Sequence, residues 1–118
     1  VLVVGAGVAG LSTALAFARR GVEVTVLERA PALTEVGAGL QVTPNGMAVL
    51  AALDVANEVR DAGLAAEAIE LRRAEDDRVI VRMSVEARDW ILIHRARLLD
   101  MLARAVERAG VPIETGVE

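Results

Sequence analysis

The sequence has no cysteine, no lysine and no tyrosine, and only one histidine, one phenylalanine and one tryptophan. Without cysteine, disulfides, thiolate metal sites and a cysteine nucleophile are excluded within this stretch. With His94 as the single histidine, nothing supplies a catalytic triad or a metal set, and a structural role is the default for that ring. No apolar run reaches the roughly 20 residues of a membrane span. No charged region precedes the apolar start, as a signal peptide would require. A soluble, cytoplasmic protein is therefore expected. Net charge is −4, from 17 acidic and 13 basic residues, which speaks against a nucleic-acid or anionic-membrane surface. Every basic residue is arginine, which reads as coding bias.

What is present is globular in character. The 118 residues are 54% apolar, enough for one small core. The chain starts inside a strand-like run without an initiator methionine and ends just after another, so it reads as a piece of a longer polypeptide.

Val1 to Val4 is a continuous β-branched and apolar run, expected as a strand buried on both faces. GAGVAG follows at Gly5 to Gly10 and opens a helix to about Arg20, with Leu11, Leu15 and Ala18 on one face beside Ala14. Gly21 is the natural stop. Val22 to Leu27 reads as a second strand. Arg29 to Gln41 reads as a loop of small residues. Thr43-Pro44 then starts a helix to about Leu53, with Thr43 able to cap it. A short helix from Val55 to Ala62 stops at Gly63. Ala68–Ala74 and Arg78–Val85 form an expected antiparallel hairpin around a polar turn. Trp90 to Ile93 is a short apolar strand candidate. Arg95 to Ala109 is a strong helix, with Leu98, Leu102, Ala105 and Ala109 in one stripe and Leu99 and Val106 flanking it. Pro112 to Thr115 is expected to add a strand to the first sheet.

The chemistry-bearing motif is GxGxxG at Gly5, Gly7 and Gly10, between a strand and a helix. The first glycine permits a tight turn, the second lets backbone approach a pyrophosphate, and the third lets the helix pack close to the strand. The helix start then offers unpaired N–H groups, those of Val8, Ala9 and Gly10 among them, and a positive dipole end. Glu28 closes the second strand, where a carboxylate can accept hydrogen bonds from both ribose hydroxyls and would repel a 2′-phosphate. A dinucleotide site follows, and this segment alone does not separate FAD from NAD.

Three runs in order, GAGVAGLSTALAFARRGVEVTVLERAP, EVGAGLQVTPNGMAVLAAL and IHRARLLDML, resemble the FAD-dependent aromatic-ring monooxygenases of the salicylate-hydroxylase and hydroxybenzoate-hydroxylase type. The resemblance runs through nearly the whole chain and is weakest between Ala65 and Asp89. It implies an α/β fold: a Rossmann-like FAD-binding βαβ unit with a β-hairpin insertion and a further helix, within a larger FAD/NAD(P)-binding domain. Residues 1–30 would be the ADP-binding unit, about 65–93 the start of an inserted sheet, and 95–118 a helix and strand returning to the FAD domain.

The resemblance also assigns residues. Gly5, Gly7 and Gly10 would line the pyrophosphate and Glu28 would hold the ribose. Arg29 would lie beside the adenosine, Gly39 and Gln41 near the flavin end, and Arg95 at the phosphate and ribityl region. Arg95 and Arg97 at a helix start oppose its dipole, which a bound anion would reverse; the alternative is that Arg95 is solvated or pairs with a nearby acid such as Asp89. The loop Gly37-Ala38-Gly39 suits close approach to a flat ligand or, equally, an irregular turn. The charges from Arg72 to Asp77 read as the solvated end of the hairpin, and Trp90, Met47, Met83 and Met101 as packing.

The implied reaction uses NADH or NADPH to reduce FAD, and O2 to hydroxylate a small aromatic substrate. No acid–base residue in this stretch is a candidate catalyst. The family's Asp-Gly and Gly-Asp motifs are absent from the sequence, so the 118 residues alone are not expected to be active. Another flavoenzyme on the same scaffold (a halogenase, an epoxidase or an isoprenoid reductase) and a non-catalytic flavin- or nucleotide-binding module stand as alternatives.

Overall fold

The computed structural model describes residues 1–33, 38–85 and 89–117. The expected position Gly37 lies outside them. Along the chain run β1 (Leu2–Val4), α1 (Val8–Ala18), β2 (Thr25–Glu28), β3 (Gly39–Val42), α2 (Pro44–Ala52), α3 (Ala56–Ala62), β4 (Leu64–Ala65), β5 (Ala68–Arg72), β6 (Val79–Ser84), β7 (Ile91–His94), α4 (Arg95–Arg108) and β8 (Ile113–Thr115).

Three sheets result. A parallel sheet has the order β1-β2-β8, an antiparallel sheet the order β3-β7-β4, and β5-β6 is an isolated hairpin. The expected strand at the C-terminal end thus joins the first sheet, with Val26 opposite Ile113 and Glu28 opposite Thr115. Parallel pairing needs a crossover: α1 connects β1 to β2, and the rest of the chain returns through α4 to β8.

Helices α1 and α4 lie against each other, and α1 packs on β1 and β2 of the parallel sheet. Leu11, Ala14 and Leu15 of α1 and Leu98, Leu99, Met101, Leu102, Ala103, Ala105 and Val106 of α4 are buried. The α4 stripe is wider than the sequence pattern gave, and it ends earlier. Ala109 is exposed as the helix C-cap, because Gly110, at φ +74°, turns the chain away.

Four other expectations need correction. The first strand is not buried on both faces: Val3 packs inward, whereas Leu2 and Val4 (85% exposed) face outward. Among the described residues nothing buries the outward side of β1, and β1 is the edge of this sheet. The second strand starts at Thr25 rather than Val22, because the Val22 N–H still bonds to Phe17 O at 3.1 Å in the helix exit. Gly39–Val42 is a strand, not a loop. It pairs antiparallel with β7, Leu40 opposite Ile93 and Val42 opposite Ile91, and these four side chains turn toward the core. The Thr43 hydroxyl makes no cap bond to the helix; it donates to Asn45 Oδ1.

Gly63 ends α3 in extended backbone. A Cβ there would lie 2.2 Å from Ile91 Cγ2 and 2.9 Å from Val59 O, so close packing requires the glycine. The hairpin behaves as expected at its charged end, where Glu70, Arg72, Arg82 and Asp77 form ion pairs. Its other face carries Ile69, Leu71, Val81 and Met83 in register. Met83 is exposed, so it is not a core residue.

Candidate functional site

The expected nucleotide residues gather at the C-terminal ends of the parallel strands, where open α/β sheets bind ligands. The three glycines have three separate causes. Gly5 has φ +94°, a left-handed conformation that a side chain would strain; its N–H donates to Leu27 O at 2.7 Å. At Gly10 an added Cβ would lie 1.8 Å from Gly5 O. At Gly7 it would meet nothing within 4 Å among the described residues, and the backbone is extended at φ −75°. Neither strain nor packing among the described residues demands glycine there. The surface over Gly7 is open for a ligand's close approach.

Gly7 is the N-cap of α1 and makes no side-chain cap bond. The first turn, with Val8, Ala9 and Gly10, has no acidic residue. Early N–H groups of a helix lack intrahelical acceptors. A positive end without a capping side chain or a local acid is suited to an anionic ligand.

Glu28 stands across from this turn at the end of β2. Its Oε2 accepts the Ala6 N–H at 2.7 Å, and its Oε1 accepts the Ala30 N–H at 2.8 Å. The bonds from Ala30, then Ala6, hold the carboxyl below its ordinary value of 4.5 against the opposing effect of desolvation. It therefore stays ionised at neutral pH. Each oxygen keeps a lone-pair site for a further donor, since a carboxylate accepts about four bonds. Arg29 follows it and is exposed.

The second group of expected residues lies on the antiparallel sheet. Gly39 and Gln41 are on its outward face, with Gly39 directly opposite His94 and Gln41 opposite Leu92. The register carries Arg95 to the same edge, and its N–H donates to Ala38 O at 3.2 Å. Asp89 pairs with Arg60. A Cβ at Gly39 would meet nothing within 4 Å among the described residues, as at Gly7. His94 belongs to this edge too. Its position opposite Gly39 was hidden from the sequence, because only the β3–β7 pairing creates it. Trp90 is partly buried as expected, and its indole N–H has no acceptor among the described residues.

A mainly apolar cleft of about 340 Å³ links the two groups, with Val8 and Ser12 on one wall and Leu40, Gln41, Gly46 and Leu98 on the others. A larger cavity of about 570 Å³, lined by Val1, Gly21, Thr25 and Pro112 among others, opens at the opposite ends of the strands. It is remote from the glycine turn and from Glu28. No helix among the described residues is long and apolar enough to cross a membrane.

Comparison with known proteins agrees with this geometry. The profile of the FAD binding domain family matches residues 1–118. The chain is 40% identical to 3-amino-4-hydroxybenzoate 2-monooxygenase of Streptomyces cremeus, covering 96% of this chain and 30% of that protein. It is 34% identical to 3-hydroxybenzoate 6-hydroxylase 1 of Aquipseudomonas alcaligenes, covering 100% of this chain and 32% of that protein. The tetrameric form of 2-methyl-3-hydroxypyridine-5-carboxylic acid oxygenase superimposes with a TM-score of 0.91 at 26% identity, covering 99% of this chain and 31% of that one. The chain thus spans about a third of the length of these relatives. With the glycine turn, the terminal carboxylate of β2 and the family match in agreement over the whole sequence, the chain belongs to the FAD-binding domain family.

Proposed function

We propose that this chain is the FAD-binding part of an NADH- or NADPH-consuming monooxygenase that hydroxylates a small aromatic substrate of the hydroxybenzoate or salicylate type. The observation that carries the reading is the set of three glycines with distinct causes. Gly5 makes the turn, Gly10 admits the helix, and Gly7 is left with open space at an α-helix N-terminus. That arrangement fits a pyrophosphate, and two aromatic-ring monooxygenases among the relatives indicate the kind of reaction.

In this reading the N–H groups around Gly7, Val8, Ala9 and Gly10 hold the pyrophosphate. Glu28 holds the adenosine ribose through its remaining lone pairs, and Arg29 flanks the adenosine. Gly39 and Gln41 border the flavin end, and Arg95 balances phosphate charge. FAD, when bound, supplies two-electron redox chemistry and the reaction with O2. This chain's residues bind and orient it, and the apolar cleft beside Gln41 keeps water from its neighbourhood. Residues 1–30 serve as the ADP unit, about 65–93 open an inserted sheet, and 95–118 return to the FAD domain; the pairing of β8 with β2 supports the last assignment. Most of the substrate-binding sheet lies outside these residues, and the enzyme works in the cytoplasm, where both nicotinamide cofactors are supplied.

The test is to purify the intact polypeptide, denature it and identify the released cofactor by absorbance and chromatography. FAD is expected. A panel of hydroxybenzoates should then stimulate NADH or NADPH oxidation and yield a hydroxylated product. Retained NAD without flavin would overturn the reading.

A further inference from the structure

Glu28 makes contacts that ribose binding does not require. Ala6 lies inside the glycine turn and is only 2% exposed, so its N–H cannot turn to water. The acceptor it has is Glu28 Oε2 at 2.7 Å. The other oxygen, Oε1, holds the Ala30 N–H at 2.8 Å, where the chain leaves β2. The same corner is gripped from its far side, where the N–H groups of Gly116 and Val117 donate to Ala30 O and Glu28 O at 3.0 and 3.1 Å. One carboxylate thus joins the glycine turn to a corner that the third strand already fixes. A buried amide left without an acceptor is costly, so this contact selects one conformation of the turn.

We infer that Glu28 is a positioning residue as well as a ligand contact: its carboxylate clasps the Ala6 and Ala30 amides and sets the glycine turn in place before any dinucleotide arrives. A neutral side chain cannot do this equally well. Glutamine presents an NH2 to one of two N–H donors, and a protonated carboxyl presents an O–H. The clasp therefore weakens in acid, and the two amides that hold the carboxyl low are the ones released. Among the described residues, the charged neighbours are Arg29, which favours the ionised form, and Glu114 on β8. Glu114 pairs with Leu27 and so belongs to the opposite face of the sheet. The glycine turn and the first turn of α1 carry no ionisable side chain.

The inference rests on the nucleotide reading only for its effect on affinity; the clasp itself is tested without ligand. The full-length polypeptide, stripped of flavin, is compared with its Glu28→Gln variant by amide hydrogen exchange. Exchange at Ala6 and Ala30 is expected to rise at least tenfold in the variant, while the amide of Leu102 in the core stays protected. Unchanged exchange at Ala6 and Ala30, with FAD rebinding weakened, would show a ribose contact only and overturn the inference. A second measurement needs no variant. In the ligand-free wild type, the Ala6 amide proton resonance is expected to move with pH as the Glu28 carboxyl titrates, and a resonance that does not follow that titration overturns the clasp. Where FAD binds, wild-type affinity should fall in acid more steeply than that of Glu28→Gln, which carries the ligand's own ionisation as the reference. Failure of FAD to bind would sink the proposed function and leave the exchange result standing.

Discussion

Gly7 and Gly10 are three positions apart and are glycine for opposite reasons, which makes them separable by mutation. A Cβ at Gly10 meets a carbonyl oxygen at 1.8 Å, and backbone cannot step aside as a flexible side chain can. Gly10→Ala should cost about 1–3 kcal/mol of stability, the usual range for overpacking, as read from urea unfolding. Gly7→Ala meets nothing within 4 Å and keeps ordinary backbone angles. It should leave stability within about 0.5 kcal/mol of wild type but weaken FAD binding at least tenfold, because the added methyl occupies the ligand's space. Loss of stability without loss of binding would reverse the assignment. Glu28 adds a pH effect with a definite sign. Its carboxyl is held below 4.5 in the folded protein, so the associated stability is present above that value and drains away as pH falls through the lower, folded value. The urea midpoint of Glu28→Gln should therefore change less between pH 7 and pH 4 than that of wild type. Glu28 was legible in the sequence because it closes a strand at the right distance from the glycines. Its partners were not, because Ala6 and Ala30 bond through main-chain atoms that every residue carries.

At the scale of elements, what could be read followed what each segment carries within itself. Helix α4 has its own stripe from Leu98 to Val106, and α1 its own glycine start, so both were legible. Strand β3 has four residues, one of them glycine, and acquires its character from pairing with β7, half a chain away. The two-residue β4 is a strand only because Leu64 and Ala65 pair with Leu92 and Ile91. Neither segment has a period long enough to announce itself. The same dependence hid the meeting of Gly39, Gln41, His94 and Arg95. Leu102 is fully buried in α4, and Leu102→Ala should cost about 2–5 kcal/mol in urea unfolding. A much smaller cost would mean that the α1–α4 contact is not the centre of the core.

The whole molecule is long for its size, with extents of 53 × 28 × 20 Å and a radius of gyration of 16.9 Å; a compact domain of this length would give about 13.5 Å. The β5–β6 hairpin packs mainly on itself. None of its strand residues belongs to the main core cluster, and a two-stranded ribbon has little stability of its own. Its amides should exchange by local opening at a free energy well below that of α4 amides, measurable as exchange rates against urea concentration. Equal protection in both would show that the hairpin is tied to the core. The composition could not foretell this shape, because the apolar count is the same whether a residue such as Val4 or Met83 faces the core or the outside.

The placement of β8 also sets a sequence of events. Val26 pairs with Ile113, and the corner carrying Glu28 is held by Gly116 and Val117. On a ribosome, the first strand, the glycine turn and α1 emerge early, yet the partner that fixes their corner is among the last of these residues to be made. Contacts of such long sequence separation form slowly, since closing the intervening loop is entropically costly. The nucleotide turn is therefore made well before the strand that fixes its corner, and until β8 docks on β2 the nascent chain exposes a strand edge on which a chaperone can act.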